Sequence, residues 1–188
     1  MKKSVLVILS AVLVLMLVSC GASSSKETNY ARFEMEDGGV FYIELYPAVA
    51  PETVANFKKL VNEGFYNGII FHRVAANTLI QGGDPTGTGY YGSDKKIKGE
   101  FSSNGFSNKL KHTVGVVSMA RSNDYNSASS QFFVCVKDLP GLDGDYAAFG
   151  KVVKGMDVVT AISRVPVNGE KPLTDQKIKS AALVDSIN

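Results

Sequence analysis

Three short apolar segments hold the polar side chains best suited to chemistry: Phe71-His72-Arg73-Val74, Leu79-Ile80-Gln81-Gly82-Gly83-Asp84 and Ser130-Gln131-Phe132-Phe133-Val134. Each reads as a β-strand, where side chains alternate between two faces, so Leu79 falls on the face of Gln81 and Gln131 on that of Phe133. Each pair sets one amide beside one apolar group. Arg73 lies in an apolar strand where an unpaired guanidinium is costly, so it must reach solvent, a carboxylate or a substrate. Taken singly, these residues have structural roles open to them, an arginine paired with an acid or snorkelling and two amides satisfied inside a barrel. His72 and His112 have no Ser or Cys nucleophile context and read as structural hydrogen-bonding residues, not bases.

The elements that position these residues follow from hydrophobic period. Ala31 to Met35 and Val40 to Tyr46 are β-prone runs joined by Glu36-Asp37-Gly38-Gly39, a hairpin with a Gly-rich turn. From Pro51 the period changes. Pro51 suits a first helical position, Glu52 the positive end of a helix, and Val54, Phe57, Leu60 and Val61 form one face before Gly64, which predicts a helix over about 51–63. Further strands are predicted at Ile69 to Val74, Leu79 to Gly82, Val114 to Met119, Gln131 to Val136, Ala147 to Val153 and Ile178 to Val184, with a second helix from Met156 to Ile162. Many short strands with Gly-rich connections and only two helices favour a closed or nearly closed antiparallel barrel over a doubly wound sheet. No internal repeat and no second domain are visible in 188 residues.

Composition removes several function classes. The chain is 45% hydrophobic and 20% charged, and once the first nineteen residues are set aside 18 basic side chains face 18 acidic ones. A nucleic-acid footprint is not supported, and the neutral balance makes a monomer the default. Lys2 and Lys3 precede an apolar run from Val5 to Val18 that ends at Leu17-Val18-Ser19-Cys20, which reads as a signal peptide over 1–19 with a lipoprotein cleavage box. The run is too short for a retained span, which needs about 20 apolar residues. The likeness to bacterial lipoprotein signals implies that the Cys20 thiol receives a diacylglyceryl group and palmitate-type chains, anchoring the protein on the outer side of a cell membrane. Residues 20–29 then form a polar, Ser-rich tether, and folding is expected to start near Tyr30, giving a domain over 30–188. Cys135, in an apolar run, reads as a buried inert thiol, and with Cys20 otherwise engaged no His/Cys zinc site or disulfide framework remains.

Together the segments resemble the cyclophilin family of peptidyl-prolyl cis/trans isomerases (rotamases). The resemblance runs from about Tyr30 to the C-terminus and rests on FHRV (71–74), QGGDPTGTG (81–89), SMAR (118–121), SASSQFFV (127–134) and LDGDYAAFGKV (142–152). It implies a closed eight-stranded antiparallel β-barrel capped by two α-helices, with the active groove on its outer surface. It further implies Arg73 as the main catalytic residue supported by Gln81 and Gln131. Leu79, Phe133, Leu142 and Tyr146 would surround the substrate proline, and Ala120 and Arg121 would lie beside the peptide backbone.

Such a set is sufficient because no bond has to break. Rotation about a peptide bond crosses ~18–20 kcal/mol, and prolyl bonds turn unaided in tens to hundreds of seconds. At a quarter turn the resonance is lost and the proline nitrogen bears a free lone pair, which a guanidinium hydrogen stabilises selectively. Millisecond turnover needs roughly 5–6 kcal/mol, and one charge-assisted hydrogen bond supplies only about 1.5–3 kcal/mol. The remainder falls to an apolar pocket that fixes the ring and takes the carbonyl out of water. No metal, nucleotide or other cofactor is required. A non-catalytic module that holds proline-containing or unfolded segments in the same groove is the competing class.

Other patterns weigh less. Gly87 to Gly92 matches G-x-G-x-x-G but runs into a polar segment, not a helix, and GDYAAFGK (144–151) misses the phosphate-loop spacing and its Ser or Thr. Lys95, Lys96 and Lys98 read as a solvated loop. The chain also departs from the family pattern. Ala75-Ala76-Asn77-Thr78-Leu79 occupies the place of Ile-Pro-Gly-Phe-Met, so Thr78 replaces an aromatic of the proline pocket, which predicts weakened or altered substrate selection. Gly141 and Tyr146 replace a Trp and a His found in many eukaryotic members, which predicts weak cyclosporin binding.

Overall fold

The computed structural model describes residues 28–187. The expected leader over 1–19, the acylated Cys20 and the tether as far as residue 27 lie outside the described residues. The end of that tether is part of the fold: Leu45 N–H donates to the Asn29 carbonyl at 2.8 Å, and Thr28 Oγ1 donates to Asp185 at 2.6 Å. The fold thus includes two residues before Tyr30, because the Asn29 backbone extends the first ladder.

β1 (Tyr30–Met35) and β2 (Val40–Leu45) form the expected hairpin, and every second residue faces inward. The chain continues through α1 (Pro51–Asn62), β3 (Arg73–Ala75), β4 (Leu79–Gly82), β5 (Val116–Met119), β6 (Phe132–Cys135), β7 (Ala148–Lys154), α2 (Met156–Ile162), a small hairpin of β8 (Val167–Asn168) and β9 (Lys171–Pro172), and β10 (Ile178–Val184). Eight strands pair antiparallel in the order β10-β1-β2-β7-β5-β6-β4-β3 and curl into a barrel. One Ile70–Lys177 bridge closes the last seam, flanked by Phe71 N–H to the Gln176 carbonyl and Ile178 N–H to the Ile69 carbonyl, both 2.9 Å. The strand expected over 69–74 is therefore split. Its first half bonds toward β10, and only Arg73–Ala75 bonds to β4, so no continuous ladder forms.

The barrel interior is aromatic: Phe33 stacks on Phe41 with centroids 5.2 Å apart, and Phe57 of α1 plugs one end 4.9 Å from Phe149. Val54, Phe57, Leu60 and Val61, the face expected of α1, are all buried. The helix has no capping side chain of its own, since Ala50 occupies the cap. Glu100 supplies the cap from far along the chain, accepting the Glu52 N–H at 3.0 Å and the Thr53 N–H at 2.8 Å. A carboxylate at this end is favoured by both the free amides and the helix dipole.

β5 and β6 differ from β1 and β2 in burying every residue. Their inner side chains join the barrel core, while Leu79, Val116, Phe133, Cys135 and Ala148 form a second apolar cluster outside the barrel, overlaid by Leu110, Leu139 and Leu142. The candidate site residues Leu79 and Phe133 lie on this doubly covered side. Cys135 is fully buried there, and burial pushes its thiol up to about 12, consistent with an inert role.

Candidate functional site

Register sets the site. Arg73 of β3 lies opposite Gln81 of β4, and Gln81 lies opposite Phe133 of β6, so the three form one rung across the outer face. Leu79, two residues along, shares that face, and Gln131 precedes Phe133 by the same two-residue step. The alternation read from sequence is thus the alternation in the fold.

A chain of hydrogen bonds holds the polar members. Gln131 Nε2 donates to the carbonyls of Gly89 at 3.0 Å and Tyr91 at 2.7 Å. Its Oε1 then accepts from Gln81 Nε2 at 2.8 Å. Gln81 Oε1 in turn accepts from Arg73 Nη1 at 3.1 Å. Each amide orientation is dictated by the next, and the series ends on the cation. The sequence alone leaves the acceptor of Arg73 open among solvent, a carboxylate and a substrate. It is Glu170, which takes Arg73 Nε at 2.6 Å and Nη2 at 3.1 Å. No pattern near residue 170 singled it out, because the contact is made by a two-residue turn 97 positions away in the chain.

The apolar members assemble beside this relay. Phe133 is almost wholly buried; Tyr146 meets it edge-on at 5.9 Å and the His112 ring stacks on it at 5.9 Å. Leu79 is in the same cluster, and Ala120, Leu142 and Tyr146 are partly exposed along its border. The result is an apolar floor with an accessible rim next to a cation. A cleft of about 500 Å³ adjoins it, bordered by Gln81, Gln131, Ala120 and Arg121 on one side and by Tyr90, Tyr91 and Lys96 on the other. Lys96 therefore faces a cleft, which refines the expectation of a plain solvated loop.

Arg121 is placed beside the groove but is strongly engaged. Its guanidinium lies 4.6 Å from the Tyr146 ring centre and 4.7 Å from that of Tyr125. Nε donates to the Asp145 carbonyl at 3.0 Å and Nη1 to the Ser122 carbonyl at 2.8 Å. The cation thereby ties the loop after β5 to the loop that carries Leu142 and Tyr146. Thr78 turns its hydroxyl to the Ala76 carbonyl at 3.2 Å, in a β3–β4 turn where Asn77 takes the left-handed backbone that asparagine tolerates. Gly141 is exposed, with no atom of the described residues within 4 Å of where a Cβ would stand.

Two histidine expectations need correction. His72 is buried, yet among the described residues neither ring nitrogen has a hydrogen-bond partner, so it is not the hydrogen-bonding residue expected. Burial lowers its pKa, which favours the neutral ring, packed closely against Gly89. His112, expected to lack a serine neighbour, has one: its Nε2 lies 3.0 Å from Ser118 Oγ and its Nδ1 3.1 Å from Asp143. The order Asp–His–Ser is that of a hydrolytic relay. However, Ser118 is fully buried, so no carbonyl carbon can reach its hydroxyl, and the set serves to hold the ring beneath Phe133. Burial lowers the pKa of His112 despite its bond to Asp143, so the neutral ring donates from Nδ1 and accepts at Nε2.

Residues 30–183 match the family profile described as cyclophilin type peptidyl-prolyl cis-trans isomerase/CLD. Peptidyl-prolyl cis-trans isomerase-like 1 of Aspergillus oryzae is 44% identical over 149 residues, covering 78% of this chain and 91% of its own. Peptidyl-prolyl cis-trans isomerase CYP18-2 of Arabidopsis thaliana is 37% identical over 149 residues, covering 78% and 89%. Among solved structures, a cyclophilin-type isomerase of Cryptosporidium parvum in the presence of the dipeptide Ala-Pro superimposes with a TM-score of 0.76 at 31% identity, covering 84% of this chain and 99% of that one.

Proposed function

The chain belongs to the cyclophilin-type peptidyl-prolyl cis-trans isomerase family, and on that premise we propose that it turns Xaa-Pro bonds of exported proteins, using Arg73 as the donor to the twisted imide. The relay from Gln131 through Gln81 to Arg73 carries this reading. It presents a preorganised cation at the edge of an apolar floor, so the donor need not reorganise as the amide loses its resonance. The proline ring would rest on Leu79 and Phe133 between Leu142 and Tyr146, and the preceding residues would run past Ala120 and Arg121 into the adjoining cleft. Fixing the ring while the carbonyl leaves water supplies the share of the barrier that one hydrogen bond does not. The test is exchange spectroscopy on a proline peptide with the full chain. Interconversion faster than in buffer supports the reading, and a rate equal to buffer with peptide still bound favours the non-catalytic holding module.

Thr78 bears on selectivity. Its short polar side chain at the β3–β4 turn leaves the floor without the ring that the family pattern places there, and an aromatic buries 150–250 Å² in general. Thr78→Phe is expected to raise kcat/KM on proline peptides, and an unchanged or lower value would count against this account of the pocket. Without a Trp at Gly141 the groove also lacks a ring for cyclosporin, and calorimetry should show weak binding; a tight complex would refute this.

The basic-apolar-Cys20 order at the N-terminus supports a lipid-anchored, extracytoplasmic lipoprotein. Clients would then be proteins that fold outside the cell, where prolyl isomerisation is a slow step. Metabolic labelling with a tagged fatty acid should mark the full chain and not its Cys20→Ser variant; an unlabelled parent would rule the anchor out.

A further inference from the structure

Resting on the isomerase reading above, we propose that Glu170 is a positioning residue for Arg73: its carboxylate grips the Nε and Nη2 edge of the guanidinium and fixes the plane in which the remaining donors are offered. A guanidinium has five N–H groups. Glu170 takes one from Nε and one from Nη2, and Gln81 takes one from Nη1. One hydrogen on each terminal nitrogen is left, and the Gln81 side, where Nη1 is held, borders the groove. The cation is therefore gripped at two edges, and a substrate meets the third.

The hairpin that carries Glu170 is built to place it. Asn168 pairs with Lys171, so Gly169 and Glu170 form a two-residue turn, and Gly169 takes the positive φ of +64° that such a turn requires at its first position. The turn is then fastened beside β3 by its backbone, with the Val74 N–H donating to the Glu170 carbonyl at 2.7 Å. Because this bond uses the main chain, a substitution of Glu170 removes the carboxylate and leaves the hairpin in place. The ion pair itself is roughly half exposed, at 41% and 51% of the two side chains. Pairs of that kind contribute little to stability, so the contact's consequence is directional: a two-point fork sets a planar cation where a point contact would let it swing.

The experiment compares the full-length parent with Glu170→Ala and Glu170→Gln by exchange spectroscopy at several peptide concentrations. Glu170→Ala is expected to lower kcat about tenfold with KM changed less than about twofold, since only alignment in the twisted state is lost. Glu170→Gln should fall between, keeping one acceptor. The Arg73 Nε–H signal, distinct and slow to exchange with solvent in the parent, should move toward that of free arginines in Glu170→Ala, which reports loss of the fork, while the fall in kcat without a matching change in KM is what a purely structural role would not produce. The melting temperatures should agree within about 4 °C. An active parent whose kcat is unchanged or raised in both variants overturns the role of Glu170 alone. A parent that turns no peptide overturns the isomerase reading and this role with it.

Discussion

Arg73→Ala is expected to lower kcat/KM for a proline peptide by about 10²–10³, the range seen when one preorganised donor is removed from a site that stabilises developing charge. The lower bound is close to what the hydrogen bond supplies at its strongest, since about 3 kcal/mol converts to roughly 150-fold. The upper bound reflects the held geometry, because Gln81 and Glu170 deliver the donor already oriented. The scaffold should survive. The Arg73–Gln81 rung is a backbone pairing, Gln81 keeps its bond to Gln131, and Glu170 is exposed enough to hydrate once its partner is gone. Peptide affinity should also persist, because the floor of Leu79 and Phe133 is untouched. Exchange spectroscopy for rate and calorimetry for binding separate the two quantities. A variant that keeps the parent's kcat/KM would move the chemistry away from this cation. Arg73→Lys should recover only part of the loss, since an ammonium cannot bond to both Glu170 and Gln81 in the guanidinium's fixed fork.

What the sequence made legible is what local period and alternation encode. The β1–β2 hairpin and both helices lie within a residue or two of their expected bounds, because each has a clean apolar face and Gly or Pro punctuation. Arg73, Gln81 and Phe133 share one face because alternation within a strand survives folding. The expectations failed where the partner is distant in the chain. The 69–74 segment divides its hydrogen bonds between β10 and β4, and nothing local in it says so. Ser118 reaches His112, and Glu170 reaches Arg73, only once the barrel has closed. The apolar run of β6, and that of β5 apart from Ser118, is a local sign that both faces are covered there.

The largest structural effect should come from the glycine that lets two site strands meet. Gly83 has φ +92°, and a Cβ there would stand 2.3 Å from the Ser130 carbonyl oxygen and 2.9 Å from the Gln131 Cα. That oxygen cannot easily yield, since it accepts from the buried Tyr66 hydroxyl at 3.1 Å, while Ser130 Oγ donates back to the Gly83 carbonyl at 2.7 Å. Gly83→Ala is therefore expected to remove about 3 kcal/mol or more, combining backbone strain with overlap, and to lower the melting temperature by roughly 6–12 °C. Gly105→Ala is the control. It has φ +75° but open space around it, so it should lose only the conformational share, about 1 kcal/mol. Any relief at residue 83 must push the entry to β6 outward and carry Gln131 with it, stretching its 2.8 Å bond to Gln81. Activity measured well below the melting point should then fall even where the domain is folded, because the relay that aims Arg73 has lost its fixed end. A Gly83→Ala variant melting within about 2 °C of the parent with undiminished turnover would show that the two strands tolerate separation, and that the amide relay does not set the cation.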